Sequence, residues 1–423
     1  MKINRREWFQ SAAASAVASS AAVGSAATAG APDWSKVRED FPWLKEKLWL
    51  TAADYHPIGI HSLRAMEKYL AWRVRGPGGD GSRYTGQQER ETRELFARLI
   101  HANAGEIAFV QSTTEAENIV VAGMDLAHRK GNVVLDDLHY QASKFLYHML
   151  EKEAHVELRV VPHRGEHGWT VDMKDLEKAV DRNTLLVSMA LVSNINGYLH
   201  DAKAISDLAH AHGAYLYGDI IQGAGAVPID VQAMGIDFAG CGAYKWLMSD
   251  MGFGFLYVRE GLQDSLVKRS RYGVRQFSSP NHAQADSKFD LLPGAARYET
   301  GSFSYVGGVC AHASLQYIHS LGMDNIRAHA KALTDRLQRE LPAMGYPPIT
   351  PKDNPTPIVS FLLPEYEKTA KKLQKAFGEI PIALRLWEFT NRSGEASIVK
   401  GMRISPSVYN NQQDIDRLLN ALS

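Results

Sequence analysis

Lys245 is the one lysine in GAYKWLMSDMGFGFLYV (242–258), between Tyr244 and Trp246 and just ahead of a glycine-punctuated apolar run. A lysine held out of water has a depressed pKa, and its neutral amine is a nucleophile suited to imine chemistry. A side chain that snorkels to the surface is the plain alternative. Three further segments set polar residues where apolar runs end. In FVQSTTEAEN, Ser112, Thr113 and Thr114 open a helix, and hydroxyls beside free backbone N–H groups suit a phosphate. Taken alone, simple capping accounts for them, with Glu115 and Glu117 complementing the first turn. In AYLYGDIIQGAG, Asp219 needs a cation or several donors, and Gln222 can reach the same cavity; a helix cap is the alternative. Asn194 follows another apolar run in ALVSNINGYL, where a turn-forming Asn is the alternative.

The order of these groups narrows the chemistry. Hydroxyls can anchor a phosphate, a strand-end carboxylate can keep a pyridine nitrogen protonated, and a lysine can bond an aldehyde. Pyridoxal phosphate requires all three. STTEAEN, VSNING, GDIIQGAG, AYKWLMSDMGFGFLYV, ETGS and MRISPSVYNNQQDID also follow one another as in the class V aminotransferase branch of fold-type I pyridoxal-phosphate enzymes. Over nearly all of its length after residue 31, the chain resembles that family, which includes cysteine desulfurases, kynureninases and isopenicillin-N-epimerase-like proteins.

The resemblance implies roles. Lys245 would bond the cofactor and Asp219 would face its pyridine nitrogen. Asn194 and Gln222 would sit by the ring's phenolate oxygen, while Thr113, Thr114 and Gly242 would hold the phosphate. Tyr140, in DDLHYQAS, aligns with the ring-stacking position where desulfurases place His, and Tyr244 replaces the His that often precedes the lysine. Ser302, in YETGSFS, matches a phosphate contact supplied by the neighbouring subunit, which implies a homodimer. Arg385, in IALRLWEF, matches the arginine that clamps a substrate α-carboxylate. Arg403 is a second candidate and reads equally well as a structural strand residue.

Such a site needs a sheet edge and a core to support it. Short apolar runs (EIAFVQ, NVVLDD, LLVSMALVSN, AYLYGDI, FAGCGAY, GFGFLYV) alternate with helical text such as SKFLYHMLEKEA and DAKAISDLAHAHG. That alternation predicts an α/β fold with a mostly parallel central sheet covered on both faces. A long helical region follows, and then TPIVSFLL, TAKKLQKAF, IALRL, KGMRISPS and QQDIDRLLNAL predict a small C-terminal α+β domain. The expected divisions are 1–31 for a signal, 32–65 for an N-terminal segment, 66–310 for a large cofactor-binding domain, and 311–423 for a linking helix and the small domain. The Gly-rich RGPGGDGSRYTG lacks the lysine and hydroxyl of a P-loop, and reads as a surface or active-site loop.

The N-terminus carries Arg5 and Arg6, then Trp8 and Phe9, then an uncharged Ala/Ser-rich run with small residues near Ala27, Ala29 and Ala31. This resembles a twin-arginine signal, and predicts export of the folded protein by that machinery to the periplasm or beyond. No later stretch is long and apolar enough for stable membrane insertion. Lys plus Arg equals Asp plus Glu, 47 each, so no basic field argues for nucleic acid. Two cysteines, Cys241 and Cys310, exclude a disulfide framework, and HRGEH has no helical spacing for a metal.

The family shares its first steps and diverges afterwards. Transamination of an amino-acid-like substrate is the favoured outcome; epimerisation and C–S lysis are alternatives, as is a scaffold that binds cofactor without turnover. Desulfurases need a mobile cysteine near the carboxylate-binding arginine, and LWEFTNRSGEASIVKG after Arg385 has none. Export with this fold resembles aminotransferases that mature secreted peptide siderophores such as pyoverdines, which would make the substrate a small molecule or a peptide-borne amino acid.

Overall fold

The apolar runs pair side by side. β1 (Ile107–Val110), β2 (Gly131–Asp136), β3 (Val156–Val161), β4 (Thr184–Ala190), β5 (Tyr215–Asp219), β6 (Phe238–Gly242) and β7 (Gly254–Val258) form a seven-stranded sheet in the order β1-β7-β6-β5-β4-β2-β3. The pairs from β3 through β6 are parallel, and β7 runs antiparallel to both β6 and β1. The structure is a computed structural model that describes residues 32–76, 83–154, 156–277, 291–390 and 396–423. The twin-arginine segment and residues 77–82 of the Gly-rich loop lie outside the described residues.

Helices α1 (Trp34–Glu39), α2 (Ile60–Arg75), α3 (Gly86–Leu99), α4 (Thr113–Gly123), α5 (Gln141–Glu153), α6 (Met173–Ala179), α7 (Ala202–Ala211) and α8 (Tyr305–Leu321) belong with this sheet. Side chains alternate across a strand, so neighbouring residues feed different cores. Val134, Val187, Leu216 and Phe255 pack into one buried cluster, while Val133, Leu186, Tyr217 and Leu256 pack into another. Burial on both faces explains why these strands read as continuous apolar runs. β3 was not among those runs. It is an edge strand whose VELRVV interleaves exposed Glu157 and half-buried Arg159 with its apolar residues.

α9 (Met323–Ala343) is separated from α8 by Gly322, at φ 78°. It leads to β8 (Val359–Leu362), α10 (Tyr366–Phe377), β9 (Ala383–Thr390), β10 (Ala396–Ile404) and α11 (Gln412–Leu422). The three strands form an antiparallel sheet in the order β8-β10-β9. Its core joins Leu337, Phe361, Met402 and Leu418 to Leu48 and Leu50 from the N-terminal segment. Leu50 N donates to Pro381 O (2.9 Å) and Ser405 N donates to Leu50 O (2.7 Å). From there residues 51–56 run as a strap to the large sheet, where His56 N donates to Tyr244 O (3.0 Å).

Candidate active site

Register brings the site's elements to one edge. Val110 pairs with Gly254, and Gly254 with Gly242; Gly240 pairs with Asp219, and Asp219 with Ala190. The ends of β1, β4, β5 and β6 therefore lie in line, and the residues that follow them meet above that edge. In an open parallel sheet this is where ligands collect.

Lys245 rides a tight turn between β6 and β7. Met248 N donates to Lys245 O (2.8 Å), and Ser249 N to Ala243 O (3.0 Å). Met248 is left-handed at φ 58°, a rare state for a residue with a Cβ. The turn presses on Gly225, whose φ is 89° and whose absent Cβ would lie 2.4 Å from Trp246 O. The last glycine of GDIIQGAG is thus required by packing. The two aromatics beside the lysine take opposite directions. Trp246 enters the core and its indole N–H donates to Gln222 Oε1 (2.8 Å), while Tyr244 faces the cleft. Lys245 Nζ lies 5.7 Å from the Tyr244 ring centre and 5.9 Å from that of Tyr140. Burial pushes the Lys245 pKa down to about 8, against the pull of Asp219 and with help from Arg403.

A cleft of about 470 Å³ is lined by Ser112, Thr113, Thr114, Tyr140, Asn194, Asp219, Gln222, Tyr244 and Lys245. Ser112 Oγ caps α4 by accepting from Glu115 N (3.1 Å), which leaves Thr113 and Thr114 in its first turn. Glu115 stays at the helix start and accepts from Gln111 N (2.7 Å), whereas Glu117, expected as its companion there, is buried instead. Gly242 N–H donates to Thr113 Oγ1 (2.8 Å), and Gly242 is not among the cleft-lining residues. The Thr113 hydroxyl hydrogen remains available for an anion. Asp219 is buried, accepts from Ile221 N (3.0 Å), and is pushed up to about 6 by desolvation.

Gln222 is held at both ends of its amide, donating to Ala53 O (3.0 Å) and accepting from Trp246, with one N–H left over. Asn194 Oδ1 is buried without a partner on the cleft wall. An orphaned amide of this kind is a place where a ligand atom completes the bonding. Hydroxyls at a helix N-terminus, a buried carboxylate, a buried amine, an aromatic beside it and an unsatisfied amide together fit pyridoxal phosphate.

The two arginines converge on a residue the sequence did not single out. β9–β10 pairing sets Arg385 opposite Gly401, on the face that also carries Arg403. Both guanidiniums donate to Asp54 Oδ1, from the strap. Arg403 is buried and also donates to Asn194 O (2.6 Å), so it is more than a strand residue. Arg385 is half-buried and opens on a neighbouring cleft of about 800 Å³. Nothing in TAADYHPIG marks Asp54 as a partner of distant arginines; chain crossing alone brings it there. Ser302 is exposed and does not line the cleft of its own chain. Cys241 and Cys310 are fully buried, and burial raises both thiols, that of Cys310 to about 11.

Comparison with known proteins bears on the family and the fold. The chain matches the family described as Aminotransferase class-V over residues 63–418. A probable cysteine desulfurase from Methanothermobacter thermautotrophicus is 33% identical over 308 residues, covering 71% of this chain and 74% of that protein. The apo structure of a cysteine desulfurase from Thermococcus onnurineus superposes with a TM-score of 0.79 at 22% identity, covering 94% of this chain and 98% of that one. A mutant of C-DES, with glycine covalently linked to its pyridoxal-phosphate cofactor, gives 0.78 at 18% identity and covers 91% and 98%. At these identities the solved structures speak for the fold. With the family matched over most of its length and the fold shared, the chain belongs to the class V aminotransferase family of pyridoxal-phosphate enzymes.

Proposed function

We propose that this protein is an exported enzyme working at the α-carbon of an amino-acid-like substrate, and that its reaction is transamination. The observation that carries the reading is a buried amine, Lys245, which shares one cleft with Asp219, Thr113 and Thr114 and lies 5.9 Å from the Tyr140 ring centre. Bound there, pyridoxal phosphate supplies an electron sink for charge that develops at Cα. The chain's own residues supply the rest. Thr113 and Thr114 hold the phosphate end at the start of α4. Asp219 holds a proton at the pyridine end, and Tyr140 covers the ring. Arg403, with Arg385 on the same sheet face, takes the substrate carboxylate in place of Asp54, because two guanidiniums already converge on one carboxylate there. Lys245 would act as the base that takes the Cα proton and, once protonated, as the acid that gives it back.

The relatives named cysteine desulfurase favour a second reading, C–S lysis. Persulfide transfer requires an accessible thiolate, and both cysteines of this chain are buried and neutral. Elimination without a protein thiol remains compatible with the residues. The two readings separate in one experiment: the purified protein is mixed with a panel of amino acids, including cysteine and cystine, under single-turnover conditions. Transamination releases one oxo acid per site with no ammonia or sulfide. Pyruvate with ammonia and a sulfur product from cysteine or cystine would replace it with lysis, and inversion at Cα with no oxo acid would replace it with epimerisation. Export is tested by Arg5→Lys with Arg6→Lys, which is expected to hold folded precursor in the cytoplasm; unaltered export would refute the signal.

A further inference from the structure

Behind the cleft, a directed chain of hydrogen bonds leads away from Tyr140 to a carboxyl group that the reaction does not use. Tyr140 N–H donates to His139 Nδ1 (2.7 Å). A nitrogen that accepts carries no hydrogen, so the neutral ring holds its hydrogen on Nε2. Nε2 lies 3.0 Å from Ser188 Oγ and donates to it. The Ser188 hydroxyl then spends its own hydrogen on Glu117 Oε1, at 2.9 Å. One backbone N–H therefore sets the direction of every bond as far as Glu117. Burial keeps the imidazole neutral, with its pKa pushed down to about 4.

Glu117 has a second set of partners. Tyr147 Oη donates to Oε1 (2.9 Å) and Ser143 Oγ to Oε2 (2.6 Å), both from α5. Glu117, His139 and Ser188 are each no more than 2% exposed. A carboxyl group buried this deeply costs stability that an apolar side chain would not, so its retention asks for a use. Its position supplies one. Glu117 lies one helical turn after Thr113, on the same side of α4, and its chain of bonds ends at the residue whose ring stands 5.9 Å from Lys245 Nζ.

We propose that Glu117 is a positioning residue that, through Ser188 and His139, holds the Tyr140 peptide and so keeps the Tyr140 ring against the cofactor. The proposal rests on pyridoxal phosphate at Lys245 and on no particular reaction.

The branching of the network supplies the test. Ser188→Ala cuts the path to Tyr140, whereas Ser143→Ala removes one donor from Glu117 on the branch to α5 and leaves that path intact. Each variant is reconstituted with pyridoxal phosphate, and the circular dichroism of the bound cofactor band and the cofactor Kd are measured. Ser188→Ala is expected to change the band and raise Kd by about tenfold or more, because both buried hydrogen bonds of the hydroxyl are lost, with Ser143→Ala like the wild type. Equal behaviour of the two would mean that the network only pins α4 to α5, and the proposal would fall. A second pair carries the test if Ser188→Ala does not fold. Glu117→Gln keeps an oxygen for Ser188 and should preserve the band; Glu117→Leu should alter it. A wild-type band in Glu117→Leu would overturn the proposal.

Discussion

Lys245 shows how one residue's chemistry is set by its surroundings. Its ordinary value of 10.5 falls to about 8 because burial disfavours the ammonium, although Asp219 and Asp54 both oppose the fall. Only the neutral amine attacks an aldehyde, so capture of pyridoxal phosphate by the cofactor-free protein should accelerate with pH around a midpoint of about 8. Asp219→Asn removes a field that raises the lysine, so the midpoint should move lower; stopped-flow absorbance across that range reads both. The arginines differ in the same way. Arg403 is buried and bonded to the cleft-lining Asn194, whereas Arg385 is half-buried and opens on the neighbouring cleft. Replacing the planar fork of Arg403 with lysine should raise KM for an amino acid by about tenfold or more, with a smaller rise for Arg385→Lys. Steady-state kinetics of the two variants decides the order, and a larger rise for Arg385→Lys would return Arg385 to the primary role.

Two elements position that chemistry, and both depend on close approach. The lysine turn packs so tightly on Gly225 that Gly225→Ala would force a Cβ to within 2.4 Å of the Trp246 carbonyl at a positive φ. The expected cost is about 3 kcal/mol, measured as a fall in the denaturation midpoint of the cofactor-free protein. The strap from Thr51 to His56 ties the small sheet to the lysine turn, and it carries Asp54 to both arginines. Its text is short and mixed, with no period from which a role could be read. β3 escaped for a related reason: an edge strand buries only part of each face, so its charged residues interrupt the apolar run that marks the inner strands. The inner strands, buried on both sides, were plain.

The whole molecule carries two further consequences. Glu117 is raised from 4.5 to about 7, first by burial and also by Asp219, against its three hydroxyl donors. A carboxyl raised in the folded state favours folding while protonated, and that contribution is lost as pH climbs from the unfolded value through the folded one. Wild type should therefore lose stability relative to Glu117→Gln between about 4.5 and about 7, by on the order of 3 kcal/mol. Urea midpoints of both cofactor-free proteins across that window measure it; a constant difference would show that the carboxyl does not titrate there. Ser302 concerns assembly. It is exposed and away from its own chain's cleft, as a residue serving a neighbour's phosphate would be. The expectation is a homodimer in which Ser302→Ala weakens cofactor binding without dissociating the subunits. Sedimentation and cofactor titration check both, and a cofactor-competent monomer would exclude the shared site.

The kinds and order of groups along the chain were enough to identify the cofactor chemistry. Hydroxyls at a helix start, a carboxylate at a strand end and a lysine after the next strand are local features, and local sequence sets them. Apolar runs on both faces likewise specified the parallel sheet. What the groups are bonded to was decided by folding. Gly242 spends its amide on Thr113, Gln222 bridges the strap to Trp246, Asp54 joins two arginines, and Glu117 leaves the helix surface for a buried network. Each of those partners lies far away in sequence. Only the register of the sheet and the crossing of the strap bring them within hydrogen-bonding distance, and neither leaves a mark on the residues beside them.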